Sequence, residues 1–288
     1  MRKAVFWIVV VLILITARCN PVYGEGPRMT VRVTLSVSLP FEFLLVQNAC
    51  VFPLSAMDSV GDERDASSCI NLTPSGKPFR IREGSRFDEI LLCHPSGEDV
   101  SFFGGFCVLP EDYESCAFQI GEKRYPGGLR VEYEISKNSP RKINVINLVD
   151  LEVYTKGVLA GEVYPSWELE ALKAQAVAIR TYALRQMNEN TSQSYDVDDT
   201  VLSQVYLGLS NIEAFEAAVC ETQGEVLIFE GAPIKAHYFA SGGGMTENVG
   251  EVWLGGSNIP YLTSRQDFDW RSPYYRWDRP FKLKASEL

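Results

Sequence analysis

Histidine is the scarcest residue type in this 288-residue sequence, which has His94 and His237 and no others. A metal site built from several histidines is therefore nearly excluded. Basic side chains are also outnumbered, 27 against 37 acidic ones, and the net charge is −10. Nucleic acids and anionic membrane surfaces both select basic proteins, so this charge argues against either partner. Apolar residues at 46% and charged residues at 22% are nevertheless typical of globular chains, and the length suits about two domains.

The apolar run near the N-terminus is short for a membrane-spanning helix. It covers twelve residues, 4–15, and follows two basic residues, whereas a spanning helix needs about 20 apolar residues. A basic head before a short apolar run is typical of a secretory signal, so residues 1–24 are predicted to be a signal peptide that is cut after Gly24. Two alternatives stay open. The run could remain as an uncleaved anchor, or Cys19 could carry a lipid, although Arg18 is a poor context for lipidation.

Cleavage after Gly24 would leave six cysteines. An exported protein meets an oxidising compartment, where an even number of cysteines allows up to three disulfides, and the sequence does not select their pairing. In a reducing compartment the same residues would be buried thiols. The spacings contain no C-x-x-C pair, which argues against a zinc knuckle or a thioredoxin-like site. The six are Cys50, Cys69, Cys93, Cys107, Cys116 and Cys220.

The remaining sequence divides into a β-rich region and a helical region. Residues 25–145 show the period-2 alternation of half-buried strands, first at 31–37, and hold five of the six cysteines. Residues 146–288 change to helices mixed with strands. The predicted fold class is therefore α+β, with a β-rich N-terminal region before a core of two consecutive helices and mixed strands. Further strands are predicted at 79–81, 90–93, 129–134, 142–147, 225–229 and 234–240, and a turn-rich stretch at 59–68.

Two consecutive helices are predicted at the start of the second region. Asp150 can cap the first helix, which runs to about Leu159 and is closed by Gly161. The second helix is predicted over 167–187, opened by Pro165. One face of this second helix carries an apolar stripe formed by Leu169, Leu172, Ala176, Ile179, Ala183 and Met187.

Glu162 lies in the predicted joint between these helices. The negative end of the first helix and shielding by Val163, Tyr164 and Trp167 would each raise the pKa of its carboxyl. A raised pKa suits a general acid that works near neutral pH. The positive N-terminus of the second helix acts in the opposite direction, and a glutamate between helices is more often a plain surface residue.

Two cations and a glycine run are the other candidate features. Lys173 and Arg180 are seven residues apart, so they share one side of the second helix, where they either pair with acids or form a solvated face. The glycine run 242–244 can bring backbone close to a ligand or can be a flexible turn. No Walker lysine follows it, and no nucleophile-elbow motif surrounds Ser241 beside His237, so a phosphate loop and a serine hydrolase are both poorly supported.

Several motifs, in order, resemble the SpoIID/LytB family of peptidoglycan-active, extracytoplasmic proteins, whose sporulation members are lytic transglycosylases. The resemblance covers roughly residues 120–270, half of the chain, with a weaker echo of the family's first strand at 31–36. It implies a SpoIID-like catalytic core within 146–288. The motifs are LEVYTKGV at 151–158, GEVYP at 161–165, EALKAQAVAIRTY at 170–182, SQVYLG at 203–208, GGMTE at 243–247, EVW at 251–253 and PYL at 260–262.

The resemblance also implies residue roles. Glu162 falls on the catalytic acid, and Lys173 and Arg180 fall on the functionally implicated basic residues of the next helix. The implied reaction cleaves the β-1,4 bond between N-acetylmuramic acid and N-acetylglucosamine and forms a 1,6-anhydro sugar, with Glu162 as single acid and base and with no cofactor. Further positions that line the groove or support the fold are Gln204, Tyr206, Gly243, Gly244, Thr246, Glu247 and Tyr261.

Three features depart from the family pattern. Some members carry a Cys/His metal pattern before the Q-V-Y motif, where this sequence has Asp198, Leu202 and Ser203, so no metal is predicted. Gly242 replaces a residue that is often serine. The sequence ends at Leu288, where relatives commonly continue, so a C-terminally shortened core is expected.

Two classes of function therefore remain. The enzyme acts on the glycan strands of peptidoglycan, and the presence of Glu162, Lys173 and Arg180 favours it. The alternative is a non-catalytic peptidoglycan-binding enhancer of a cell-wall amidase. An unrelated exported binding module is disfavoured by the ordered motifs. Both main classes imply an extracytoplasmic protein, with membrane attachment only if the N-terminal segment is uncleaved.

Overall fold

The computed structural model describes residues 29–56, 69–134, 142–252 and 259–276. The predicted signal peptide, the turn-rich stretch at 59–68 and Trp253 of the EVW motif lie outside these residues. The described chain forms two compact units, a larger one within 29–236 and a smaller one within 237–276. Mixed sheets and helices confirm the predicted α+β class. The division into 1–24, 25–145 and 146–288 stays a prediction.

Twelve strands precede the first long helix in the described residues. They include the predicted alternating strand near residue 31 and the four strands predicted between residues 79 and 147. The bounds are β1 Thr30–Thr34, β2 Phe41–Leu45, β3 Ala49–Pro53, β4 Ile70–Leu72, β5 Phe79–Glu83, β6 Glu89–Cys93, β7 Asp99–Phe103, β8 Gly105–Pro110, β9 Cys116–Ile120, β10 Lys123–Pro126, β11 Gly128–Glu134 and β12 Lys142–Asp150.

Helices and short strands follow. Their bounds are α1 Leu151–Glu162, α2 Leu169–Glu189, β13 Val197–Asp198, α3 Glu213–Glu221, β14 Ile228–Phe229, β15 Ala232–Pro233 and α4 Val249–Val252. Within the residues described, no helix combines the length and the apolar character that crossing a membrane requires.

A seven-stranded sheet is the frame of the larger unit, in the order β13-β1-β12-β11-β8-β3-β4. β1 pairs antiparallel with β12, which places Val31 opposite Val149, and both side chains are fully buried. Because β12 runs directly into α1, this pairing fixes where α1 leaves the sheet. The predicted boundary between residues 145 and 146 lies inside β12.

A six-stranded antiparallel sheet, in the order β10-β9-β2-β5-β6-β7, completes the β-rich part. Its core is aromatic and aliphatic: Phe43 stacks on Phe79 with ring centroids 5.3 Å apart, and Ile81 and Ile90 are fully buried. All six described cysteines are thiols rather than disulfides in this structure. The core of this sheet is formed by buried apolar side chains.

The helices follow the prediction except at their ends. α1 continues through Gly161 to Glu162, and α2 begins at Leu169, two residues later than predicted. Leu172 and Ile179 of the predicted apolar stripe are fully buried, together with Ala176 and Ala183, whereas Leu169 is partly exposed.

The strands predicted at 225–229 and 234–240 are mostly absent. The structure has instead β14 and β15, two residues each, joined by a turn at Glu230 and Gly231. Both turn residues have positive φ, 50° and 81°, which is the backbone of a tight two-residue hairpin. Alternating apolar residues here predicted long strands, but residues 235–240 form no strand.

Candidate functional site

The start of α1 is fixed by the cap that the sequence predicts. The side chain of Asp150 accepts hydrogen bonds from the backbone N–H groups of Glu152 at 2.8 Å and Val153 at 3.3 Å. A carboxylate at this position satisfies otherwise unpaired N–H groups and opposes the positive end of the helix dipole. α1 therefore leaves β12 at a defined residue and in a defined direction.

Two glycines on one side of α1 let another segment lie directly on the helix. A Cβ atom on Gly157 would lie 2.3 Å from the carbonyl oxygen of Gly208, and one on Gly161 would lie 2.3 Å from that of Val205. Gly161 is thus not the helix terminator that the sequence suggested. It is helical, and its missing side chain makes room for the segment 204–208, which contains the Q-V-Y motif.

This close approach orients Glu162, the last residue of α1. The backbone N–H of Val205 donates to Oε1 of Glu162 at 2.8 Å. Among the described residues Oε2 receives no hydrogen bond, and the side chain is half-buried. Of the three residues expected to shield it, Val163 is buried, Trp167 is half-buried and Tyr164 is 71% exposed. The carboxyl group is therefore held by one oxygen and open at the other.

Gln204 and Tyr206 are buried on either side of Val205. The hydroxyl of Tyr154 on α1 donates to Oε1 of Gln204 at 3.1 Å, and the hydroxyl of Tyr206 donates to Oδ1 of Asn147 on β12 at 2.9 Å. Burial raises the pKa of Tyr206 well above its usual range, so its hydroxyl stays a neutral donor. These two predicted site residues tie the segment to the helix and to the sheet.

Arg180 is buried, with 1% of its side chain exposed. Its guanidinium donates to both carboxylate oxygens of Glu152, at 2.9 Å and 2.6 Å, and to the carbonyl oxygen of Glu225 at 3.0 Å. The bidentate pair joins α2 to the first turn of α1. Glu152 and Glu162 are ten residues apart on one helix, or about 15 Å along its axis, so Arg180 and Glu162 lie at opposite ends of α1.

Lys173 is nearer the start of α2. Its Nζ lies 3.0 Å from Oε1 of Glu170 and 3.3 Å from Oε2 of Glu221 on α3. Hydrogen bonds that Lys173 donates to Glu170 and Glu221 raise its pKa, so it is a firmly charged cation. Both predicted cations therefore have acidic partners, and in this structure neither pairs with Glu162.

The smaller unit contains the remaining predicted residues. Gly243 and Gly244 have positive φ, 69° and 100°, and their N–H groups donate to the carboxylate of Asp269 at 3.0 Å and 2.9 Å. The hydroxyl of Ser241 donates to the same carboxylate. Although burial acts to raise it, these hydrogen bonds bring the pKa of Asp269 below its usual range. The glycine run is thus a nest for an anion, filled here by an aspartate of the same chain.

Sequence reasoning missed Asp269. The available signal was the glycine run itself, because successive N–H groups in such a loop need an acceptor.

Thr246 links two loop segments of the smaller unit. Its N–H donates to the carbonyl oxygen of Arg265, and its Oγ1 accepts from the N–H of Arg265, each at 2.8 Å. Glu247 is exposed and accepts from the N–H of Asn248 at 2.9 Å, while Tyr261 is half-buried. Thr246 therefore has a structural contact, and Glu247 is an exposed carboxylate of this unit.

Comparison with known protein families finds a match for the part of the chain that contains these helices. Residues 139–229 match the family model SpoIID, described as stage II sporulation protein. This range contains α1, α2, α3 and the segment 204–208. The predicted resemblance to the SpoIID/LytB family is confirmed for this part of the chain.

Three curated relatives illustrate the similarity. Stage II sporulation protein D from Bacillus amyloliquefaciens is 38% identical over 152 residues, which are 47% of this chain and 44% of the relative. Stage II sporulation protein D from Bacillus subtilis is 35% identical over 172 residues, 51% of this chain and 50% of the relative. The amidase enhancer of Bacillus subtilis is 43% identical over 122 residues, 42% of this chain and 16% of the relative. The chain thus spans half or less of the length of each of these relatives.

Proposed function

We propose that this protein acts outside the cytoplasm on the bacterial cell wall, as a lytic transglycosylase that cleaves peptidoglycan glycan strands. The observation that carries the proposal is the state of Glu162: a half-buried carboxyl group at the C-terminal end of α1, oriented through Oε1 by the N–H of Val205. The resemblance to the SpoIID/LytB family supports peptidoglycan as the substrate class. The domain organisation and the signal peptide are part of the same proposal.

In the first step Glu162 is the general acid. Its proton, on the open oxygen Oε2, goes to the glycosidic oxygen of N-acetylglucosamine as the bond to the anomeric carbon of N-acetylmuramic acid breaks. A carboxyl group fixed through one oxygen presents the other in a constant direction, which general acid catalysis requires. The N–H of Val205 therefore has a positioning role.

In the second step the same residue is the general base. The carboxylate of Glu162 accepts the proton of the 6-hydroxyl of the muramic acid, and that oxygen bonds to the anomeric carbon. One product ends in N-acetylglucosamine with a free 4-hydroxyl, and the other ends in a 1,6-anhydro sugar. Glu162 is protonated again. One carboxylate is sufficient because the nucleophile belongs to the sugar, whereas a hydrolase needs a second carboxylate for water or for a covalent intermediate.

The test compares products from purified glycan. The protein and its Glu162→Gln variant are incubated with intact sacculi and, separately, with strands whose stem peptides an amidase has removed. Mass spectrometry of the soluble products should find 1,6-anhydro ends with the unmodified protein and at least about 100-fold fewer with Glu162→Gln, because the variant lacks the acid–base group. Glu168→Gln is the matched control, since Glu168 is exposed and makes no side-chain cap bond.

Two results would reject the enzyme as proposed. Reducing ends without anhydro ends would mean hydrolysis with a second carboxylate. Equal cleavage by Glu162→Gln, with circular dichroism showing a folded variant, would remove Glu162 from the reaction.

The second candidate function is a non-catalytic enhancer of a cell-wall amidase. The observation that favours it is the 43% identity to the amidase enhancer. This function predicts that a purified amidase releases stem peptides faster in the presence of the protein, and equally so with Glu162→Gln. It also predicts no anhydro ends from the protein alone, so one set of samples separates the two functions.

A further inference from the structure

Three cysteines of the larger unit lie on one face of the seven-stranded sheet. Cys50 on β3 is opposite Asn71 of β4, and Cys107 on β8 is opposite Phe52 of β3. Cys69 directly precedes β4 and is two residues before Asn71. Because alternate residues of a strand share a face, the three thiols point to the same side. They belong to one apolar cluster together with Phe52 and Leu109.

Within this cluster the thiols of Cys50 and Cys69 lie beside the same side chain. The Sγ atoms lie 3.2 Å and 3.6 Å from the same oxygen, Oδ1 of Asn71. Sharing this acceptor brings the two thiols side by side. Both side chains are half-buried, so each remains reachable from solvent.

The remaining thiols have other neighbours. Cys93 interacts with Arg82, Cys116 with Arg124 and the carbonyl oxygen of Phe118, and Cys220 with Glu216. Cys107 is 1% exposed and therefore closed to solvent. Cys50 and Cys69 are thus the two thiols that these contacts bring together at an accessible site.

A pocket of about 400 Å³ gives access to Cys50. Cys50 and Asn71 line it together with the polar residues Asn48, Thr73 and Glu111. This space is sufficient for one arm of a small-molecule disulfide.

We propose that Cys50 and Cys69 are a redox site, and that they form a disulfide by exchange with a small-molecule disulfide such as oxidised glutathione. The thiolate of Cys50 attacks one glutathione sulfur, which gives a mixed disulfide and releases one glutathione that takes up the proton. The thiolate of Cys69 then attacks the sulfur of Cys50 and releases the second glutathione, again with its proton. The protein loses two electrons and two protons, and one glutathione disulfide becomes two thiols.

Cys69 is a poor first nucleophile. Burial, followed by the interaction with Cys50, raises the pKa of Cys69 in the reduced protein to about 11, and the thiolate is the attacking form. The resulting bond would link β3 to the start of β4, at one edge of the large sheet. This inference is independent of the proposed enzyme activity.

The test is a peptide map of the reduced protein after incubation with oxidised glutathione. Trypsin should separate the relevant cysteines, because residues 33–64 contain Cys50, residues 65–80 contain Cys69, and residues 87–123 contain Cys93, Cys107 and Cys116. Under non-reducing conditions we expect 33–64 linked to 65–80 as the main product, formed faster at higher pH. In Cys69→Ser we expect glutathione to remain on Cys50. Cys220→Ser is the matched control and should give the same link as the unmodified chain.

Three outcomes would overturn the inference. Peptide 33–64 linked to 87–123 would assign Cys50 to a different partner, and all thiols remaining free would mean that the pair does not react. Glutathione on the exposed Cys220 but not on Cys50 would show that the pocket is closed to disulfides. Because the link is mapped in the unmodified chain, a variant that fails to fold does not affect the result.

Discussion

At the scale of single residues, Arg180 shows how contacts define the role of a charged group. Spacing alone allows it to be a solvated cation or the partner of an acidic side chain. In the fold it is buried, with its donors on Glu152 and on the backbone of Glu225, about 15 Å along α1 from Glu162. Arg180 therefore fixes α2 against α1, and it affects Glu162 only through the position of that helix.

Removal of Arg180 should consequently be a stability defect. Arg180→Met leaves the Glu152 carboxylate without its partner, and we expect the free energy of unfolding to fall by about 3 kcal/mol. Arg80→Met is the control, because Arg80 pairs with Glu42 on the surface and such pairs contribute less than about 1 kcal/mol. Urea unfolding followed by circular dichroism measures both. A fully stable Arg180→Met that no longer cleaves glycan would contradict this role and would indicate a substrate contact.

At the scale of elements, the joint between α1 and the segment 204–208 determines the geometry of the site. The sequence predicts that Gly161 ends α1, since glycine commonly follows a helix. In the structure it lies inside α1 and allows the backbone of Val205 to approach. Local sequence rules cannot distinguish these uses of glycine, because the approaching carbonyl belongs to a residue more than 40 positions away.

Gly161→Ala tests this joint. Alanine is the better helix former by about 1 kcal/mol, so helix propensity alone predicts stabilisation. We expect the opposite, a loss of about 1–3 kcal/mol, because the new Cβ would lie 2.3 Å from a backbone oxygen that cannot rotate away. The segment must move, the Val205–Glu162 hydrogen bond is lost, and glycan cleavage should fall with it.

Ala160→Gly is the control, since it costs about 1 kcal/mol of helix propensity but keeps the contact and the activity. A more stable Gly161→Ala with normal cleavage would contradict the arrangement.

At the scale of the whole molecule, local periodicity located elements but not their partners. Alternation identified β1 and β12 as strands, and the cap at Asp150 identified the start of α1. The pairing of β1 with β12, which positions α1, joins residues more than 100 positions apart in the sequence, and no local pattern encodes it. The candidate catalytic glutamate was recognisable because its motif is continuous in sequence. Its hydrogen-bond donor Val205 and the salt-bridge partner Glu152 of Arg180 depend on packing between distant segments.

At the same scale, acid should affect the smaller unit through its buried carboxylate Asp269. In the smaller unit, hydrogen bonds keep the pKa of Asp269 below its usual range, so the charged form stabilises the fold. This stabilisation is complete above about pH 4, the range where an unfolded aspartate ionises, and is lost as the pH falls through the lower pKa of the folded state. The protection of the Gly243 and Gly244 amides against hydrogen exchange should therefore fall below about pH 4.

Asp269→Asn should lower this protection at pH 6 and remove most of its pH dependence. Asp88→Asn, whose carboxylate accepts no hydrogen bond from the described residues, should change neither. Protection in Asp269→Asn that still equals that of the unmodified protein at pH 6 would mean that the glycine nest is held by other contacts.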